Sequence, residues 1–196
     1  MTYFQKITGT KCYLSPCAMT DADHWTRWLN DLEVAIPLGD EAYELITRTN
    51  QENTIKEITA DGNKVFTIVD RETDQPIGRC LLFFINSVDR RAMMGVFIGE
   101  KQYWNQGYGT EATQLLLDYA FNLLNLNRVE LGVFAFNQRG IQAYKKAGFK
   151  EIGIRRQFRM IGGQAFDMLL MDILADEFKS PFVRPLLGSM ISTGKI

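Results

Sequence analysis

The sequence predicts a mixed α/β (α+β) domain built on a largely antiparallel sheet flanked by helices. Three observations predict it. Residues 64–99 hold three strand-like runs separated by short polar turns. Residues 112–124 then carry a strongly amphipathic helical pattern. Residues 129–173 read as strand, short helix and a two-strand hairpin. Short turns between successive strands favour an antiparallel meander, whereas a strand–helix–strand unit demands a crossover.

The elements follow in order. Residues 11–14 (KCYL) read as a first short strand. Residues 20–23 resemble a helix start, in which the Thr20 hydroxyl accepts from an amide three residues on and Asp23 reaches back. Trp25, Trp28, Leu29 and Leu32 give that helix an apolar face. A second, polar helix is expected over 43–58, ended by Asp61-Gly62-Asn63. Strands are expected at 64–70 (KVFTIVD), 77–86 (IGRCLLFFIN) and 91–99 (RAMMGVFIG), on their β-branched and aromatic content. Ala112, Leu115, Leu116, Tyr119, Ala120, Leu123 and Leu124 recur at spacings that keep them on one helix face. A strand at 129–136 and a helix at 137–147 come next, with Gly148 as a left-handed stop. Strands 149–160 and 164–173 close on a Gly162-Gly163 hairpin. The expected organisation is one domain over residues 1–179 and a tail, 180–196, to which no firm structure is assigned.

Bulk properties narrow the class. A hydrophobic fraction of 46%, a charged fraction of 23% and a formal net charge of −1 suit an ordinary soluble globular protein, not a general nucleic-acid binder. Cys12, Cys17 and Cys80 form no Cys-x-x-Cys pair, and His24 is the single histidine, so no metal site is expected. The cysteines read as reduced and structural. No leader pattern and no apolar run of about 20 residues is seen, so a cytoplasmic, non-membrane protein is expected, as monomer or homodimer.

Two segments carry the chemistry. Trp104-Asn105-Gln106-Gly107-Tyr108-Gly109-Thr110 lies between a strand and the strongest helix. Two glycines there let the backbone turn tightly, and the first helix amides lack intrahelical acceptors, so together they can cradle a pyrophosphate. A plain tight turn fits the same residues. A Walker site fits poorly because Gly109 precedes Thr110-Glu111, with no Gly-Lys-Ser/Thr, and a Rossmann site lacks its third glycine. The second segment runs from Asn137 through Gly140, Ala143 and Tyr144 to Gly148-Phe149. Asn137 reads as a helix N-cap, as a ligand-binding amide, or both. Tyr144 reads as core packing or as a catalytic phenol.

In this order and separation, the two segments resemble the GNAT superfamily of N-acetyltransferases. Within it the chain is most similar to the branch of ribosomal-protein alanine N-acetyltransferases. Trp28-Leu29-Asn30-Asp31, Ile98-Gly99-Glu100, residues 104–112 (WNQGYGTEA), residues 117–121 (LDYAF), Asn137 and Ala147-Gly148-Phe149 carry that likeness over roughly residues 11–178. Trp104 stands where the broad family has Arg or Gln, and Gly140 where it often has Ser or Ala.

The resemblance implies a splayed central strand pair with acetyl-CoA in the gap. The backbone of Val96, Phe97 and Ile98 would meet the pantetheine arm, with an amide near Phe97 or Ile98 polarising the thioester. Amides from Gln106, Gly107, Tyr108, Gly109 and Thr110 would hold the pyrophosphate, and Asn137 the pantetheine region. Tyr144 would lie near the sulfur and protonate it as it leaves. Glu100, or Glu130, is the candidate base through a water, with a solvated surface carboxylate as the plainer reading. The implied acceptor is a primary amine, with a protein N-terminus as first choice. A small-molecule amine (aminoglycoside or polyamine) is the alternative, and Trp25, Trp28, Tyr43, Arg155, Arg156 and Arg159 are the residues offered on that side. A catalytically silent acetyl-CoA-binding module and an unrelated nucleotide-binding enzyme are the competing classes.

Overall fold

The computed structural model describes residues 3–192. Its strands are β1 (Ile7–Thr8), β2 (Cys12–Pro16), β3 (Lys64–Asp70), β4 (Pro76–Asn86), β5 (Arg91–Ile98), β6 (Arg128–Phe134), β7 (Lys150–Ile161) and β8 (Gln164–Leu174). Its helices are α1 (Ala22–Leu29), α2 (Leu32–Ala35), α3 (Arg48–Ala60), α4 (Tyr108–Asn122), α5 (Gln138–Ala147) and α6 (Val183–Ser192). The strands form one sheet in the order β1-β2-β3-β4-β5-β6-β8-β7. Every pairing is antiparallel except β5 with β6, which α4 joins as the crossover. No helix among the described residues is long and apolar enough to cross a membrane.

The parallel pair is short, and this shapes the molecule. β5 and β6 pair only from Arg91 opposite Arg128 to Met93 opposite Glu130. Beyond Met93 they part: β5 continues on β4, and β6 pairs along its length with β8. A gap therefore opens in mid-sheet beside residues 94–98.

Alternation along the strands sends side chains to two cores. Ile68, Cys80, Leu82, Met94, Val129 and Leu131 pack under α4, against Ala112, Leu115, Leu116 and Ala120. Trp25, Trp28 and Ile55 from α1 and α3 cover the opposite face, against Val65 and Phe97. Burial pushes the Cys12 and Cys80 thiols well above their ordinary range, so both are neutral core groups.

Three expectations are corrected here. The first helix does not reach Leu32: it ends at Leu29, and the Asp31 carboxylate accepts from Glu33 N (3.0 Å) to start α2, which leaves Leu32 exposed. The anchor of the α1 start is Asp21, which is buried and accepts from Tyr3, Ala18 N and Thr67, while Asp23 pairs outward with Arg48. The polar helix begins at Arg48, not at residue 43, because Thr47 caps it by accepting from Asn50 N at 3.2 Å.

The tail is ordered into α6 as far as Ser192. Asp118, buried on α4, accepts from Ser180 Oγ (2.5 Å), Phe182 N (2.9 Å) and Val183 N (3.1 Å), and so caps the tail at its turn onto the domain. Residues 193–196 of the expected tail lie outside the described residues.

Candidate active site

The backbone of the gap can be read from one hydrogen bond. Gly99 N donates to Ile77 O at 2.8 Å. In this register Phe97 lies opposite Arg79 and Ile98 opposite Gly78. Backbone direction alternates along an antiparallel strand, so Phe97 spends its N–H and C=O on β4. Val96 and Ile98 direct theirs into the gap. The Trp104 indole N–H donates to Ile98 O at 2.7 Å, which agrees with that direction. The expectation for a Phe97 amide is thus corrected, and Val96 and Ile98 remain. The Phe97 ring lies on the other face of the sheet, edge-on to Trp28.

The loop before α4 turns through left-handed backbone at Asn105 (φ 61°) and Gly107 (φ 88°). Gly107 is the N-cap residue, and no side chain caps the helix. The first intrahelical bond is Glu111 N to Gly107 O (3.0 Å), so the amides just before it have no intrahelical acceptor. Gly107, Tyr108, Gly109 and Thr110 line a cavity of 510 Å³. Uncapped helix amides at a cavity wall fit a pyrophosphate. The expected Gln106 is not part of this lining: its side chain donates back to Gln102 O.

Neighbouring elements brace this turn. The Tyr108 hydroxyl donates to Asp70 at 2.8 Å. Burial, reinforced by that carboxylate, raises its pKa, so it holds its proton. Glu111 accepts from Lys11 N (2.7 Å), Cys12 N (2.9 Å) and the Thr10 hydroxyl, and this clips the β1–β2 hairpin to α4. The clip brings Lys11 Nζ to 5.7 Å from the Tyr108 ring. Arg139 stacks on Trp104 at 3.5 Å and, with Lys146, adds positive charge to the cavity wall. The sequence reading missed Lys11, Arg139 and Lys146. Arg139 and Lys146 left a signal, two cationic side chains inside the second segment, whereas Lys11 lies far from both segments in sequence.

Asn137 is a helix N-cap that also stands at the cavity wall. Its Oδ1 accepts from Gly140 N (2.9 Å) and caps α5, and the residue also lines the cavity. Tyr144 lies about two turns further along the same side of α5, edge-on to Phe149. Burial alone pushes its pKa up to about 12. Its hydroxyl has no hydrogen-bond partner among the described residues.

A second cavity of 880 Å³ opens on the other side of the splay. Pro37, Leu38, Val96, Phe97, Asn137 and Tyr144 line both cavities, so the two meet at Tyr144 and the exposed edge of β5. Residues 37–41 roof the junction. Arg159 holds that roof: it donates to Gly39 O and to Asp40 (2.6 Å), with its guanidinium over the Tyr43 and Phe134 rings. Arg159 is therefore a buried clamp, while Arg155 lines the cavity. Trp25 and Trp28 belong to the core, and neither they nor Tyr43 and Arg156 line either cavity.

Glu100 is not brought to the site. It lines neither cavity, and its carboxylate accepts from Arg27 and from Trp28 Nε1 (2.8 Å). Burial raises its pKa, but the Arg27 guanidinium and the indole N–H outweigh that and hold it below the usual carboxylate range. A carboxylate so held is a poor base. Glu130 pairs with Arg128 at 2.9 Å and also lies outside both cavities. Glu100→Gln is expected to leave turnover within about twofold and to cost about 1 kcal/mol of stability at pH 7, since Arg27 is largely exposed. A depressed carboxylate pKa contributes stability above the unfolded pKa that is lost as pH falls through the folded one. The stability difference should therefore close in acid, which urea titrations at pH 7 and pH 3 can check.

Comparison with known proteins agrees with this geometry. Residues 11–150 match the acetyltransferase (GNAT) domain. The N-acetyltransferase p20 of Bacillus licheniformis is 28% identical over 178 residues, covering 90% of this chain and 97% of that one. The spermidine N(1)-acetyltransferase of Escherichia coli (strain K12) is 33% identical over 101 residues, 52% of this chain and 54% of that one. The spermidine N-acetyltransferase of Vibrio cholerae, solved in complex with CoA and spermine, superposes with a TM-score of 0.78 at 23% identity, over 86% of this chain and 98% of that one.

Proposed function

This chain belongs to the GNAT acetyltransferase family, and from that premise we propose that it acetylates a small primary amine held in the second cavity. It is an N-acetyltransferase, and acetyl-CoA is its co-substrate. The observation that carries the acceptor reading is the junction: two cavities share Tyr144 and Val96 at the splay between β5 and β6. One can take the thioester and the other the amine, so both reactants meet without a covalent enzyme intermediate.

The residues then divide the work. Amides of Tyr108, Gly109 and Thr110 hold the pyrophosphate, with Lys11, Arg139 and Lys146 adding charge. Asn137 orients the pantetheine region. The Val96 or Ile98 amide donates to the thioester oxygen as it gains negative charge, a preset dipole that needs no reorganisation. The amine lone pair forms the new C–N bond and the C–S bond breaks. Tyr144 gives its proton to the departing sulfur, the amine nitrogen releases one proton to water, and the phenolate regains a proton from solvent.

A peptide N-terminus is the second reading, and the motif likeness to the ribosomal-protein alanine N-acetyltransferases supports it. The roof over residues 37–41, clamped by Arg159, favours the smaller acceptor. Thiol release from acetyl-CoA, measured over small amines and short peptides in parallel, separates the two. Turnover of small amines at least about tenfold above any peptide is expected. Faster turnover of peptides would overturn the reading. Stabilisation by acetyl-CoA with no thiol release from any amine would point to the silent binding module.

A further inference from the structure

β4 reads PIGRCLLFFIN, an apolar strand with a single charge, Arg79. Its place opposite Phe97 puts it on the acceptor side of the sheet, where it lines the second cavity. The guanidinium lies 4.3 Å from the Trp25 ring and 5.1 Å from the Phe97 ring. Only 11% of the side chain is exposed. Its Nε is buried and has no hydrogen-bond partner among the described residues. The nearest carboxylate, Glu41 on the roof, stands off at 3.7 Å, an ion pair too long for a hydrogen bond.

A buried cation without a hydrogen-bonded anion is costly, and so is an unpaired buried N–H. Arginine cannot escape that cost by losing its proton. The arrangement makes sense if the anion comes with the ligand. The Trp25 and Phe97 rings lie against the guanidinium, and the edge formed by its two Nη groups is left for binding. That edge matches a planar carboxylate through two parallel N–H···O bonds.

We propose that Arg79 anchors a carboxylate on the acceptor, so that the amine substrate is an amino-acid-type molecule with its amine directed at the Tyr144 junction. The proposal rests on the second cavity being the acceptor site. Charge count favours it over a polycation. The carboxylates lining the cavity, Glu41 and Asp61, are matched by Arg79 and Arg155, which leaves no acidic excess for a polyamine. A polyamine would also meet Arg79 as a buried like charge.

The test is steady-state thiol release on matched acceptors: amino acids against their amides, with spermidine and a short peptide alongside. The carboxylate member of each pair is expected to be preferred in kcat/KM by at least about tenfold, because the amide leaves the Arg79 Nη groups without a hydrogen-bonded carboxylate. Arg79→Gln should raise KM for the carboxylate acceptor by about tenfold or more, erase the preference over the amide and leave KM for acetyl-CoA within about twofold. Arg79→Lys should recover part of the preference, as a point charge without the fork. Equal use of acid and amide by the wild-type enzyme would overturn the proposal even if the variants fail to fold. Best turnover of spermidine or an amidated small amine would overturn it while leaving the small-amine reading intact. Best turnover of the peptide, or none of any amine, would overturn both.

Discussion

Tyr144→Phe is expected to lower kcat at pH 7 by about 100-fold, with acetyl-CoA affinity within about twofold of wild type. The substitution removes one oxygen and keeps the ring on Phe149, so packing is conserved. The hydroxyl has no partner among the described residues to strand. What is lost is a proton donor at the meeting point of the two cavities. Burial holds the phenol near a pKa of about 12. A raised phenol pKa favours the proton-bearing form, so the donor stays loaded across the whole working range. The wild-type rate should therefore show no alkaline fall from Tyr144 up to about pH 10. Without the donor the sulfur must leave as an unprotonated thiolate at every pH. The defect of Tyr144→Phe should accordingly stay the same from pH 7 to about pH 10, where the wild-type phenol still carries its proton. Full activity of the variant at pH 7, or a defect wholly in KM for acetyl-CoA, would remove Tyr144 from the chemistry.

What the sequence could and could not reveal follows the range of the interactions. The α4 face, the Gly107–Gly109 turn, the Asn137 cap and the Gly148 stop (φ 108°) depend on neighbours within one turn or one loop, and each was legible. The splay itself came from family likeness, since no local pattern states that β5 and β6 part after Met93. Glu100 was misread because its partners, Arg27 and Trp28, lie more than 70 residues earlier. The Phe97 amide was misassigned because strand register decides which amides face the gap. The ordered tail depends on Asp118, 62 to 65 residues before the groups it caps. Arg79 left a visible sign, a lone charge in an apolar strand, but only the fold shows which rings cover it.

The same strand supplies the second large effect, Gly78→Ala, expected to cost about 3 kcal/mol or more, at or above the top of the usual overpacking range. An added Cβ at Gly78 would lie 2.2 Å from Phe97 O and 3.0 Å from Ile98 Cα. Both are backbone atoms of β5, so no side-chain rotation relieves the contact, and the two strands must move apart. That movement breaks the pairing that turns the Ile98 amide toward the gap and sets its carbonyl under the Trp104 indole. Stability and acetyl-CoA affinity should therefore fall together. Gly153→Ala is the control: its Cβ would meet the Leu170 side chain at 3.8 Å, an ordinary contact, and a change within about 0.5 kcal/mol is expected. Urea titration should show a lower midpoint with an unchanged slope for Gly78→Ala, the mark of lost stability without a change in the unfolding reaction. An unmoved midpoint would mean that β5 shifts freely against β4. The Val96 and Ile98 amides would then no longer be fixed dipoles, and the oxyanion role assigned to them would lose its physical basis.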